Sequence, residues 1–308
     1  MLKTRQVILA KAESTYNTDP TPVVGTDAVL VENLAFSYDG ARMAERAAVR
    51  ASLGKLKPIF AGTLGQLTFD VELKGSGTAG TAPELGPLLK GCGFSETIVA
   101  TTSVTYKHAS SGHSSLTFYY YIDGLRYIMT GARGSVSLSL QTGATGKLSF
   151  TFTGHVATPT DTALGVATYN ATVPPPVIAG AFSLDSYSAV IAKLECDWGI
   201  EIAKPDNLSA TDGYGEIRIT GRNVTGSVDP AATLVAAYAW VTKWKSSASY
   251  ALATGTIGAT AGNRYAVSMP AVTYTELGEG DREGILTTDL KFVAAESTGD
   301  DECSLAFT

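Results

Sequence analysis

The stretch RYIMTGARGSVSLSLQTGATGKLSFTFTG, residues 126 to 154, constrains this chain more than any other part of it. Apolar residues alternate strictly with serine or threonine from Val136 to Leu140 and again from Leu148 to Phe152. Side chains on a strand point to opposite faces in turn, so this period of two gives one apolar and one polar face, which a helix with 3.6 residues per turn cannot do. The glycine-containing TGATG between the two runs predicts an antiparallel hairpin. Thirty-two glycines and abundant Ser and Thr over 308 residues extend the expectation of sheet to the whole chain.

Other segments fit the same frame. Residues 1–26 are polar and turn-rich around Asp19-Pro20-Thr21-Pro22 and read as an N-terminal arm. A strand is expected over Ala28–Tyr38, and another where Leu67, Phe69, Val71 and Leu73 alternate. Between them, Asp39 to Gly62 reads as a long basic hairpin connection carrying Arg42, Arg46, Arg50, Lys55 and Lys57. Pro83, the Leu85, Leu88, Leu89 stripe and Gly91 predict one short helix. Asp123-Gly124 sits between two apolar runs and predicts a tight turn, because both residues tolerate positive φ. A proline-containing interruption over 157–176 marks a boundary. Beyond it, Leu194, Cys196, Trp198, Ile200 and Ile202 share one face, and Asp229 followed by Pro230 predicts a second helix running to Trp244.

The elements recur in order. Laying Arg126-Tyr127 over Arg264-Tyr265 at a spacing of 138 residues puts Val136 on Tyr274, Leu148 on Leu286 and Phe152 on Leu290. Leu67-Thr68-Phe69-Asp70 pairs comparably with Leu194-Glu195-Cys196-Asp197. Two copies of one β-rich unit is the economical reading. It divides the chain into an arm (1–26), a first domain (27–165), a Pro-rich linker (166–180) and a second domain (181–308). The polar faces of the early strands lean acidic, with Asp70 and Glu72 in one copy and Glu195, Asp197 and Glu201 in the other.

Charge and motif content exclude several classes. The net charge is −6, held as +2 over residues 1–165 and −8 over 166–308, which argues against a tight grip on phosphate backbones. Cys92, Cys196 and Cys303 lie far apart without CxxC spacing and read as free thiols. His108 and His113 are five residues apart in a loop, lacking metal-pair geometry, and His155 has no evident nucleophile as partner. No GxSxG, P-loop, Rossmann fingerprint or HExxH occurs, so neither an enzyme nor a cofactor is expected. Val7-Ile8-Leu9-Ala10 is too short for a signal-peptide core, no run suits membrane insertion, and the sequons at Asn170, Asn207 and Asn223 read as chance.

The segments GSGTAGTAPELGPLLKGCGFSET, YYYIDGLRYIMTGARGSVSLSLQTGATGKLSFTFTG, ATDGYGEIRITGRNVTGSVDPAATLVAAY and AGNRYAVSMPAVTYTELGEGDREGILTTDLKF resemble the major tail tube proteins of long-tailed bacteriophages, of the two-domain type. The resemblance implies a mainly β fold of two tandem tail-tube-like β-sandwich or barrel domains, each with one short flanking helix. It implies a virion structural protein, assembled in the host cytoplasm into homotrimeric, pseudo-hexameric rings that stack into the tube conducting DNA. Its partners would be itself, the terminator, tape measure and baseplate or tip proteins, and DNA in transient passage. On this reading Asp70, Glu72, Glu195, Asp197, Glu201, Ser149 and Thr151 line the lumen, while Arg42, Arg46, Arg50, Lys55 and Lys57 reach the next ring. The competing reading is a carbohydrate-binding β-sandwich module using Tyr119, Tyr121 and Trp244.

Overall fold

The computed structural model describes residues 1–308. Strand β1 (Gln6–Ala12) is followed by β2 (Ala28–Val29) and β3 (Glu32–Asp39). An excursion carries the short pair β4 (Met43–Ala44) and β5 (Ile59–Phe60) before β6 (Leu64–Glu72) and helix α1 (Gly86–Gly91). Then come β7 (Phe94–Val99), β8 (Ser103–His108), β9 (Leu116–Ile122), the long β10 (Leu125–Gln141), β11 (Lys147–Val156) and β12 (Thr160–Asp161). The remainder holds β13 (Ser183–Leu184), β14 (Lys193–Asp197), β15 (Ile200–Ala203), β16 (Arg218–Arg222), β17 (Thr225–Val228) and α2 (Trp240–Ser246). It ends with β18 (Tyr250–Ala253), β19 (Tyr265–Arg282), β20 (Ile285–Ala294) and β21 (Ser304–Phe307).

The fold is mainly β, as the alternation predicts. One antiparallel sheet runs in the order β3-β6-β11-β10-β14-β17-β20-β19. Its centre is the pairing of Ser137–Gln141 on β10 with Asp197–Lys193 on β14. Strands β2-β1-β9 pack on the first half of β10 as a second layer, with β12 on its other side. The first half of β19 is flanked likewise by β18, backed by β13, and by β21, which continues into β8 and β7. These pairings branch without closing a ring of strands, so the molecule is a sandwich. β10 and β19 each serve both layers, and each changes register in mid-strand, near residues 130–133 and 274–276, as bulges do where a strand bends between layers.

Burial follows the alternation. Leu67, Phe69 and Val71 of β6, Val136 and Leu138 of β10, Phe150 and Phe152 of β11, and Leu194 and Cys196 of β14 are all buried. The rings of Phe69, Phe150 and Phe152 stack at 5.7 to 6.0 Å, and each such side chain withdrawn from water is worth about 2–3 kcal/mol. Helix α1 presses Leu88 and Leu89 into the same cluster, which extends without interruption into the second half. Gly91 ends the helix against β9, where a Cβ would stand 2.7 Å from Leu116 Cδ1.

Four expectations change. Residues 6–12 form β1, paired on both edges, so the segment before residue 27 is not an arm throughout; Val7, Ile8, Leu9 and Ala10 are buried. The second helix starts at Trp240, not at Asp229. The Asp229 carboxylate is occupied elsewhere: Oδ1 accepts from the Ala192 and Lys193 amides at 2.9 Å each, and Oδ2 from Arg282 at 3.1 Å. The run from Leu194 to Ile202 is not one strand, because Gly199 at φ +56° breaks it and β15 pairs only with β16. The ungapped overlay also slips: Ser139 faces Lys147 across the first hairpin, but Leu277, its counterpart at that spacing, faces Leu290.

Candidate functional site

Register brings the polar residues of the main sheet into two transverse rows. One runs Asp70, Ser149, Ser137, Asp197, Thr225 and Val293 to Thr273. The next runs Glu72, Lys147, Ser139, Glu195, Ser227 and Lys291 to Glu276. Thr151 lies one step along, between Thr68 and Ser135. The candidates Asp70, Glu72, Glu195, Asp197, Ser149 and Thr151 therefore share one face. Glu201 does not join them, since it sits on the separate β15–β16 ribbon beyond the Gly199 break.

The face is acidic but partly neutralised. Glu32, Asp70, Glu72, Glu195, Asp197, Glu276 and Asp289 stand against Lys147, Lys193 and Lys291, a formal balance of −4. Lys147 Nζ lies 2.5 Å from Glu32 and Lys291 Nζ 2.7 Å from Glu276. The Glu32 carboxylate, helped by Asp70 and Glu72, raises the Lys147 ammonium above its ordinary range. Asn33 donates to Asp70 at 2.7 Å. Chemically the face offers hydroxyls and excess negative charge to whatever lies over it, and so repels phosphate.

Two excursions leave the ends of this sheet. Residues 40–62, between β3 and β6, are exposed almost throughout: Met43, Val49, Leu53, Ile59 and Phe60 each show more than half their surface to solvent. Arg46, Lys55 and Lys57 are exposed, and Arg50 folds onto the Gly54 carbonyl of its own loop. Arg42 is engaged at the root, 2.5 Å from Asp206 and 3.8 Å over the Tyr214 ring.

The β15–β16 ribbon, between β14 and β17, is instead strapped down across the first half. Lys204 pairs with Asp39, and Tyr214 Oη donates to the Gly40 carbonyl at 2.5 Å. Asp212 binds His155 Nδ1 at 2.6 Å, and Tyr16 Oη meets the other ring nitrogen at 3.1 Å. Arg133, on the β10 bulge, donates to Glu216 at 2.9 Å and to the Ile217, His113 and Ser114 carbonyls. The strap thus touches the ends of β3, β6 and β11 and the bend of β10 in turn. Local sequence signals only the turn at Asp212-Gly213; the docking depends on partners 57 to 201 residues away.

The remaining singled-out residues have other surroundings. His108 is buried against Phe94, with ring centroids 4.5 Å apart, and burial lowers its pKa to about 4. His113 hydrogen-bonds the Ala109 carbonyl at 2.8 Å. The three cysteines are buried, and burial pushes the Cys303 thiol up to about 12. No three His, Cys, Asp or Glu side chains gather in a metal-holding group. Tyr119 and Tyr121, the proposed sugar platform, are buried with Val7, Leu9 and Ala28, and Trp244 packs on the core with its indole bonded to the Thr275 carbonyl. No helix is long and apolar enough to cross a membrane.

Compared with known families, residues 4–301 match the model described as phage tail tube protein. No curated protein matches the chain.

Proposed function

The chain belongs to the phage tail tube protein family, structural components of the virion tail, and on that premise we propose that three copies close into a ring whose bore is lined by the polar face of the main sheet. The observation that carries this is the sheet itself. It crosses from the first half to the second through the β10–β14 pairing and ends on two bare edges, the outer side of β3 and the outer side of β19 beyond residue 272. Bare edges expose unpaired amides and carbonyls, which neighbouring copies satisfy by pairing β19 of one with β3 of the next.

Topology supports a duplicated unit. The set β3-β6-β11-β10 corresponds in order and direction to β14-β17-β20-β19, with α1 matching α2, β9 matching β18 and β12 matching β21. On this correspondence β14 takes the place of β3, not of β6 as the short overlay of Leu67 on Leu194 has it. Three chains then give six units around the axis. Rings stack into a tube between terminator and baseplate or tip proteins, around the tape measure, built in the host cytoplasm. DNA slides past hydroxyls and carboxylates that do not hold it.

Electron microscopy of the purified protein tests this, with mass per unit length giving the chains per ring. Tubes of three chains per ring are expected; a protein that stays monomeric when concentrated, or rings of six chains, would refute the proposal.

A further inference from the structure

In the correspondence just drawn, the exposed 40–62 hairpin and the strapped β15–β16 ribbon are the same element. Both connect the first strand of a unit to the second, one leaving β3 and the other leaving β14. The ribbon reaches back over the unit that precedes it in the sheet, crossing β10, β11, β6 and β3. The hairpin finds no preceding unit within its own chain, because β3 is the sheet's edge. We propose that the 40–62 hairpin straps across the second half of the neighbouring copy in the same ring, rather than reaching a copy in the next ring; this rests on the ring reading above.

The receiving surface follows from the same correspondence. The ribbon's Asp212 grips His155 at the end of β11, and the counterpart of that end is the end of β20, at Ala294. The segment leaving it contains Glu296, Asp300, Asp301 and Glu302 and no basic residue. Arg222 takes up Asp300 and Glu302, and Asp301 caps the Ser297 and Thr298 amides, while Glu296 is exposed. Facing it, the hairpin brings Arg46, Arg50, Lys55 and Lys57 against the single carboxylate Glu45. Opposite charges on two surfaces that the fold brings together steer docking and fix its register. Exposed Met43, Ile59 and Phe60, near the hairpin's root, then gain cover that the lone chain does not give them.

Cysteine pairs test this in assembled tubes, since the native thiols are buried. In the doubly substituted Val49→Cys, Ser297→Cys chain, oxidation within a ring yields a ladder of cross-linked species that stops at three chains. Linkage between rings yields a ladder that climbs beyond three, and that result, or tubes with no cross-link at all, overturns the proposal. A charge exchange gives a second readout: Lys55→Glu with Lys57→Glu abolishes assembly, and adding Glu296→Lys restores it. All these positions lie on exposed or loop surface, so the chain still folds. If the unsubstituted protein forms no rings, the ring reading fails and this inference with it; if it forms rings whose ladder passes three, only the strap assignment fails.

Discussion

Replacing Glu195 and Asp197 with lysine reverses two charges on strand β14 without touching the core, since both side chains point away from Leu194 and Cys196. Each substitution shifts the face by two charges, so its balance of −4 becomes zero, and in the proposed three-chain ring the bore gains six ammonium groups. If each meets one phosphate, the logarithm of DNA affinity falls against log salt with a slope of about −5, or about 10³-fold between 50 and 200 mM. Reconstituted tubes are mixed with short linear duplexes and sedimented across that range. Substituted tubes retain the duplexes at low salt and release them at high salt, while unsubstituted tubes retain none. Closed circular plasmid is the control, because a circle has no end to thread. Circles held as well as linear duplexes would place this face on the outside of the tube, and the reasoning would be wrong; so would linear DNA that is not held at all.

Three further outcomes are expected. Arg133→Met removes the bonds that tie Glu216 and Ile217 of the strap to β10, together with those to the His113 and Ser114 carbonyls before β9, at a largely buried position, and lowers unfolding free energy by about 2–4 kcal/mol, read from urea midpoints; a change under about 0.5 kcal/mol would count against the strap as a clamp. His108 stays neutral in the fold down to about pH 4, whereas the unfolded chain protonates it near 6.5, so stability falls by about 1.4 kcal/mol per pH unit on acidification through that window. His108→Phe flattens that slope, and an unchanged slope would show that another group causes the loss. Ellman's reagent labels none of Cys92, Cys196 and Cys303 in the native protein and all three in denaturant; prompt native labelling would contradict their burial.

Much of the fold was written locally. Strict alternation located β6, β10 and β11, Asp123-Gly124 made the β9–β10 turn with φ +39° and +105°, and the leucine stripe placed α1. The acidic face followed from the same alternation, because a known inward side dictates the outward one. What local pattern missed is held by distant partners. Asp229-Pro230 carries a helix-start signature, but the carboxylate is spent on the amides that open β14, some 36 residues earlier. Residues 6–12 look like part of a loose arm until β2 and β9 supply both their edges. Glu201 shares a parity with Glu195 and Asp197, but parity lapses once Gly199 turns the backbone. Neither the strap nor its partners leave any periodic trace.

The pairing of β21 with β8 sets a timetable. Val104–Lys107 meet Phe307–Ser304, about 200 residues later in the chain. At 5–20 residues per second, a ribosome needs roughly 10–40 s to deliver that partner. Throughout that delay the nascent first half carries an uncovered strand margin, open to chaperones and to other nascent chains, and nothing yet clamps its outer layer to the second half. A product truncated before β21 keeps the β10–β14 pairing and the shared core that join its halves, but leaves the margin of β8 and the 265–268 margin of β19 without partners, two adhesive borders that the finished chain does not show.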